Sequence, residues 1–258
     1  MTTPSSDDRR GDTDALPTLP DGFCDIVGRG RMGEALVSAL DEAGIAVRGP
    51  FGRGYDGDQA AVVVLCVPER EIAAAAAEVT SGPIVGHVSA SAPLELLEPH
   101  EHRFSLHPLM SVLGAGTRFA GAACAIDGST SRALTVARAV AERLEMRPIV
   151  IRPDSRALYH AAASAASNFL VTLEGMAETL AARAGLDRSA LAPLVRASVD
   201  NWLSRGAVAA LTGPIARGDE QTAERQRAAV VASAPELLPL WDALAVATRE
   251  LATRRSDP

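Results

Sequence analysis

Apolar and polar positions along this chain fall into two regimes. Through residue 151, short apolar runs alternate with amphipathic stretches. Residues 23–27 read as a short buried strand and residues 32–40 as an amphipathic helix. A second strand is expected at 45–47, after Gly44 closes the element before it. The run AAVVVLCV, residues 60–67, is continuously apolar, as in a parallel strand covered on both faces. Residues 72–79 predict an alanine-rich helix and 84–88 a strand. Two further strands are expected at 104–106 and 122–126, a helix at 130–144 and a last strand at 148–151. Alternating strands and helices of this kind predict an α/β, Rossmann-type doubly wound parallel sheet. From Arg156 onward the pattern is helical almost throughout. Helices are expected at 156–184, stopped by Gly185, then at 189–204, 220–232 and 235–253. The expected division is a disordered tail at 1–20, rich in Ser, Asp, Pro and Gly, a nucleotide-binding domain at 21–152 and an all-α domain at 153–258.

The junction of the first strand and helix carries the strongest chemical signal. Gly28, Gly30 and Gly33 stand at G-x-G-x-x-G spacing, with Arg29, Arg31 and Met32 between them. In a dinucleotide-binding turn the first glycine permits the tight bend and the second lets backbone approach a pyrophosphate. The third lets the helix sit close on the strand. The helix N-terminus then offers free N–H groups to phosphate.

Composition narrows the field. The apolar fraction of 47% suffices for a real core, and a formal charge of −7 argues against nonspecific nucleic-acid binding. No apolar run approaches a membrane span, and the polar first residues do not read as a signal peptide, so a cytoplasmic protein is expected. The odd set Cys24, Cys66 and Cys124 sits in apolar strand-like runs and reads as inert buried thiols in a reducing compartment. No metal site is expected from the Cys and His spacings. All 25 basic residues are arginine, so no lysine can serve as acid, base or Schiff-base former.

An NAD site usually places Asp or Glu at the end of the second strand, on the ribose hydroxyls. Here that stretch reads IAVRGPFGRG, with Arg48 and Arg53 and no carboxylate. Arginine forks onto a 2′-phosphate, which favours NADP(H); ordinary surface arginines would look the same. Val67 and Pro68 close the 60–67 strand at the expected crevice and are expected to line the cofactor. His87, Ser89, Ser91 and the pair His107-Pro108 also fall at strand ends, where polar groups tend to face ligands. In YHAAASAASNFL, His160, Ser164 and Asn168 follow at i, i+4 and i+8, one helix face among small residues. That stripe fits either a substrate site or a polar helix–helix seam. In LTGPIARGD, residues 211–219, Arg217 fits a substrate carboxylate, while Asp219 equally fits a helix N-cap.

Taken together, the GRGRMG turn, CVP at 66–68, HP at 107–108, YHAAASAASN at 159–168 and LTGPIARGD at 211–219 resemble one family. It is the NADP oxidoreductases with a Rossmann-like N-terminal domain and a C-terminal helical domain of unknown function. That family is similar to pyrroline-5-carboxylate reductase, ketopantoate reductase and the 6-phosphogluconate dehydrogenase-like enzymes. The resemblance implies a two-domain layout with a 6-phosphogluconate dehydrogenase C-terminal-like helical domain, a homodimer, and an active site beside the cofactor. Relatives carry a catalytic lysine one turn before an asparagine. Asn168 matches that asparagine, but Ser164 stands at the lysine position, so lysine-based proton transfer does not carry over.

The sequence therefore predicts an NADP(H)-dependent oxidoreductase of a small carbonyl or imine, with a ketopantoate-like 2-oxo acid implied by the resemblance. His160 is the expected acid, Ser164 and Asn168 orient the substrate, and His107 and Arg217 bind it. The missing lysine favours an alternative of another class, a non-catalytic nucleotide-binding regulatory or scaffold protein.

Overall fold

The computed structural model describes residues 19–254, so the tail expected at 1–20 lies almost wholly outside the described residues. The described residues divide into two compact units after Ser164, whereas the sequence reading put the boundary at 152–153.

The first unit is built on a seven-stranded sheet of order β2-β1-β3-β4-β5-β6-β7. Its strands are β1 (Phe23–Val27), β2 (Val47–Phe51), β3 (Ala60–Leu65), β4 (Ile84–His87), β5 (Arg103–Pro108), β6 (Ala123–Gly128) and β7 (Arg147–Val150). Helices α1 (Arg31–Glu42), α2 (Ile72–Glu78), α3 (Ser131–Arg143) and α4 (Arg156–Ser164) complete it. One face of the sheet is packed by Leu36 and Leu40 of α1 and by Val136 and Val140 of α3, against Ile26, Val62, Val64 and Ile126. The other carries Val63, Leu65 and Val85 against Ile72 and Ala76 of α2. Burial on both faces explains the continuous apolar run of β3.

The sheet departs from the all-parallel expectation at one place: β5 and β6 are antiparallel, with Leu106 opposite Ile126. The connection between them contains no α-helix, and a parallel return in the same sheet needs a crossover. The second strand also begins later than expected, at Val47 instead of residue 45. It is the edge strand, which is why Pro50 is tolerated within it.

The second unit is helical: α5 (Leu170–Arg183), α6 (Ala192–Ala210), α7 (Glu220–Ser233) and α8 (Leu238–Thr253). Gly185, at φ +78°, ends α5, as expected of a helix-stopping glycine. Bidentate Arg227–Asp242 and Arg249–Glu220 pairs join α7 to α8. Among the described residues no helix is long and apolar enough to cross a membrane.

Candidate functional site

The three glycines of the first turn differ in what a side chain would meet. At Gly28, φ is +119° and an added Cβ would lie 2.2 Å from the Cys66 carbonyl oxygen. At Gly33 it would lie 1.8 Å from the Gly28 oxygen, inside the contact between α1 and its own turn. At Gly30, which caps α1, nothing lies within 4 Å. Two glycines are thus required by packing, and the third leaves open backbone at a helix N-terminus. That is the division of labour a pyrophosphate-binding turn needs.

This turn borders a cleft of about 550 Å³ at the carboxyl ends of β1, β2 and β3. Gly28, Arg29 and Gly30 form one wall, Val67 and Pro68 another, and Arg53 and Tyr55 a third. The cleft lies at the point where the strand order reverses, between β1 and β3, where open α/β sheets bind ligands. The Phe51 and Tyr55 rings stack, with centroids 4.2 Å apart and planes 13° from parallel. The Arg29 guanidinium lies over Gly52, 3.5 Å from where a Cβ would be. Arg53 is exposed and touches Glu71 at 3.3 Å. The open glycine backbone, the aromatic wall and these two arginines fit a dinucleotide with a phosphate on its ribose.

Several expected cofactor residues stand elsewhere. Arg48 is not at the strand end, because β2 runs on to Phe51. Its guanidinium instead grips buried Asp25, and its plane lies 4.3 Å from the Phe23 ring centroid. The Tyr55 hydroxyl donates to the same carboxylate. The Asp25 carboxylate holds the Arg48 proton well above even the usual guanidinium range. Met32 packs onto the core below α1, and Arg31 begins α1 in solvent. The cysteines behave as expected: burial pushes the Cys24 and Cys124 thiols up to about 12 and raises Cys66 as well.

Beyond Pro68 a second polar group gathers. Ser89 and Ser91, in the loop after β4, both donate to Oε2 of Glu69 at 2.7 Å. These hydroxyls, Ser91 foremost, hold the Glu69 carboxyl below its usual range, and the nearby His160 acts in the same direction. His107, near the end of β5, has Nδ1 2.8 Å from the Tyr159 hydroxyl. Their rings meet edge to face at 89°. Burial, then His160 and Arg156, lower the His107 imidazole to about 4, so it is neutral at pH 7. Burial raises the Tyr159 phenol to about 12. His87 is fully buried; Nδ1 accepts the Ser89 N–H at 3.2 Å, and burial lowers the ring to about 4.

Arg156 anchors the helix that carries Tyr159 and His160. It is 8% exposed and donates to Ser105, to Asp127 at 3.2 Å and to the Ala92 carbonyl at 3.4 Å. His107 and His160 both belong to the first unit, where His160 bears electrostatically on His107 and Ser164 ends α4. Asn168 does not continue that stripe at i+8, because Ala165–Phe169 is wound as a π-helix, which breaks the 3.6-residue spacing. Arg217 is exposed in a 3₁₀ turn of the second unit, and Asp219 caps α7 by accepting the Thr222 N–H at 3.0 Å. Sequence reasoning missed Tyr55, Glu69 and Tyr159. Glu69 directly follows the CVP motif and Tyr159 directly precedes His160, so position alone marked both; nothing marked Tyr55.

No curated protein matches the chain. Among solved structures, a presumed NADP oxidoreductase from Bacteroides fragilis is 18% identical, with a TM-score of 0.76 over 90% of this chain and 100% of its own. A Thermotoga maritima protein is 24% identical, with a TM-score of 0.75 over 91% and 100%. A reductive aminase from Aspergillus terreus, in complex with NADPH4, cyclohexanone and allyl amine, is 16% identical, with a TM-score of 0.62 over 89% and 94%. These likenesses establish the fold, a Rossmann-like domain followed by a helical one. Over residues 122–248 the chain matches the family model described as Domain of unknown function (DUF2520).

Proposed function

We propose that this protein is an NADP(H)-dependent oxidoreductase that reduces a small carbonyl or imine. The observation that carries the reading is the cleft beside Gly28, Gly30 and Gly33, whose open Gly30 backbone and flanking Arg29 and Arg53 suit a phosphorylated dinucleotide. The Aspergillus neighbour, which holds NADPH4 with a ketone and an amine, supports the reaction class. When bound, the cofactor supplies hydride; the protein supplies position and a proton. The Gly28–Gly30 backbone and the α1 N-terminus hold the pyrophosphate. Arg29 and Arg53 take the 2′-phosphate, and Val67 and Pro68 line the route toward the second polar group.

There, the carboxylate of Glu69, fixed by two serine hydroxyls, and the exposed imidazole of His160 face the substrate. In the same reading Ser164, at the end of α4, orients the substrate. The homodimer expected from the resemblance belongs to this proposal too, and we place the protein in the cytoplasm. NADPH and NADH are titrated by fluorescence, and NADPH oxidation is followed with a panel of ketones, 2-oxo acids and ketone–amine mixtures. Tight NADPH binding with turnover on any of them supports the reading. NADPH binding without turnover on the whole panel supports a regulatory nucleotide-binding protein instead.

A further inference from the structure

We propose that Tyr159 is the group that hands the proton to the substrate, and that His107 is the positioning residue that makes it able to. This deepens the reductase reading above and rests on it. A path of neighbouring groups runs through the first unit. Pro68 lines the cofactor cleft, and Glu69 follows it directly in the chain. Glu69 accepts from Ser89 and Ser91 at the end of β4. His160 directly follows Tyr159 on α4 and bears electrostatically on both Glu69 and His107. His107 in turn holds the Tyr159 hydroxyl at 2.8 Å. Tyr159 and His160 are neighbours on α4, anchored to β5 and β6 through Arg156. Tyr159 is half-buried, and its hydroxyl meets His107.

A phenol next to an imidazole can make one of two bonds. If the imidazole carries its proton on Nε2, its Nδ1 accepts and the tyrosine proton is spent on it. If the proton is on Nδ1, the imidazole donates to the phenol oxygen and the O–H is free to point away. The second arrangement is the useful one. His107 stays neutral at pH 7, so both tautomers are accessible to it. Arg156 lies near enough to favour a phenolate, and no lysine is present to do so.

A bound reduced nicotinamide would supply the hydride, its own C–H bond breaking as one forms at the substrate carbon, and would end oxidised by two electrons. The carbonyl or imine π pair moves onto oxygen or nitrogen. The Tyr159 O–H bond breaks as that atom takes the proton, leaving a phenolate. The His107 Nδ1–H and the field of Arg156 stabilise the phenolate until water restores the proton by way of exposed His160. An alkoxide is a stronger base than a phenolate, so the transfer runs downhill despite the high phenol pKa.

Two measurements test this. The first needs neither cofactor nor turnover: the tautomer of His107 is read from imidazole nitrogen chemical shifts at neutral pH. The signal is assigned among the five histidines by its loss in His107→Gln. The Nδ1–H tautomer is expected; the Nε2–H tautomer overturns the proposal. The second compares Tyr159→Phe with wild type, since phenylalanine keeps the ring edge against His107. NADPH affinity is expected to change less than about twofold while turnover falls about 10²-fold or more, as for loss of a general acid. His107→Gln, which can still donate an N–H, is expected to retain more turnover than His107→Phe. Undiminished turnover in Tyr159→Phe overturns the proposal and leaves the reductase reading intact. Failure of wild type to bind NADPH overturns the reductase reading itself, and the proton-transfer role falls with it.

Discussion

The guanidinium of Arg48 grips both carboxylate oxygens of Asp25, with Nε 2.8 Å from Oδ1. Asp25 is completely buried in the middle of β1, and Arg48 covers it from the neighbouring edge strand. This pair separates two roles that the sequence reading gave jointly to Arg48 and Arg53. Arg48→Ala leaves a buried carboxylate without its cation, which costs about 3 kcal/mol. A urea melt is expected to show that loss, with little selective effect on cofactor choice. Arg53→Ala is expected to leave the melt unchanged and to weaken NADPH by about 1.5–3 kcal/mol, the value of a charge-assisted hydrogen bond, while sparing NADH. If Arg48→Ala discriminates between the cofactors and Arg53→Ala does not, the assignment is reversed.

How far the sequence reached depended on periodicity. The glycine turn, β1, β3, α3 and the switch to helices near residue 153 were all legible, because apolar patterning and turn chemistry are local. Arg48 was misplaced because a strand boundary moved: Arg48-Gly49-Pro50 reads as a turn, yet the edge strand accommodates it. Asn168 was misplaced because a π-helical segment does not show in a 3.6-residue pattern. The antiparallel β5–β6 pair was within reach, since no helix was expected between residues 106 and 122, yet the sheet was read as parallel throughout. Tyr159, Glu69 and Asp25 owe their interest to partners 20 or more residues away, at His107, Ser89, Ser91 and Arg48, and no local pattern carries that information.

The glycine turn offers a contrast within one motif. A methyl at Gly33 would sit 1.8 Å from the Gly28 carbonyl oxygen, so Gly33→Ala must push α1 off its turn. A methyl at Gly30 meets nothing within 4 Å. Gly30→Ala is therefore expected to melt within a degree or two of wild type yet bind NADPH at least about tenfold more weakly, through obstruction of the pyrophosphate. Gly33→Ala is expected to lose both stability and binding. Normal NADPH affinity in a folded Gly30→Ala protein would remove the pyrophosphate from this turn.

The second unit leaves large apolar side chains in solvent: Leu194 is 66% exposed, Leu203 68%, Trp202 53% and Val246 55%. Among the described residues its buried side chains are few: Met176, Ala181, Ala223, Val230 and Ala234. Large apolar side chains left in solvent on this scale are normally covered by a partner, and two-fold pairs are the commonest solution. Light scattering is expected to give about twice the 26.8 kDa chain mass at micromolar concentration, and Leu203→Asp to reduce it. A mass of one chain at every concentration would dispose of the dimer.

Stability should also depend on pH through two buried imidazoles. Burial is the main cause that lowers both His87 and His107 from about 6.5 to about 4 in the folded protein. Between those values the unfolded chain takes up protons that the folded chain refuses. The unfolded state therefore binds more protons, and stability falls as pH falls from about 6.5 to about 4. Glu69 adds to the loss only at more acidic pH. Its folded value is depressed by the serine hydroxyls, so its contribution is present above the ordinary carboxylate range and disappears as pH drops through that depressed value. Being exposed, it adds little. Thermal melts across this window should show a steep descent in wild type. The slope should lessen in His107→Phe and lessen further when His87→Asn is added, since neither replacement titrates there. A wild-type melting temperature that stays level from pH 6.5 to 4 would show that these rings titrate normally in the folded protein. His107 would then be charged near the foot of that range, and the neutral imidazole that the Tyr159 proton transfer needs would be confined to higher pH.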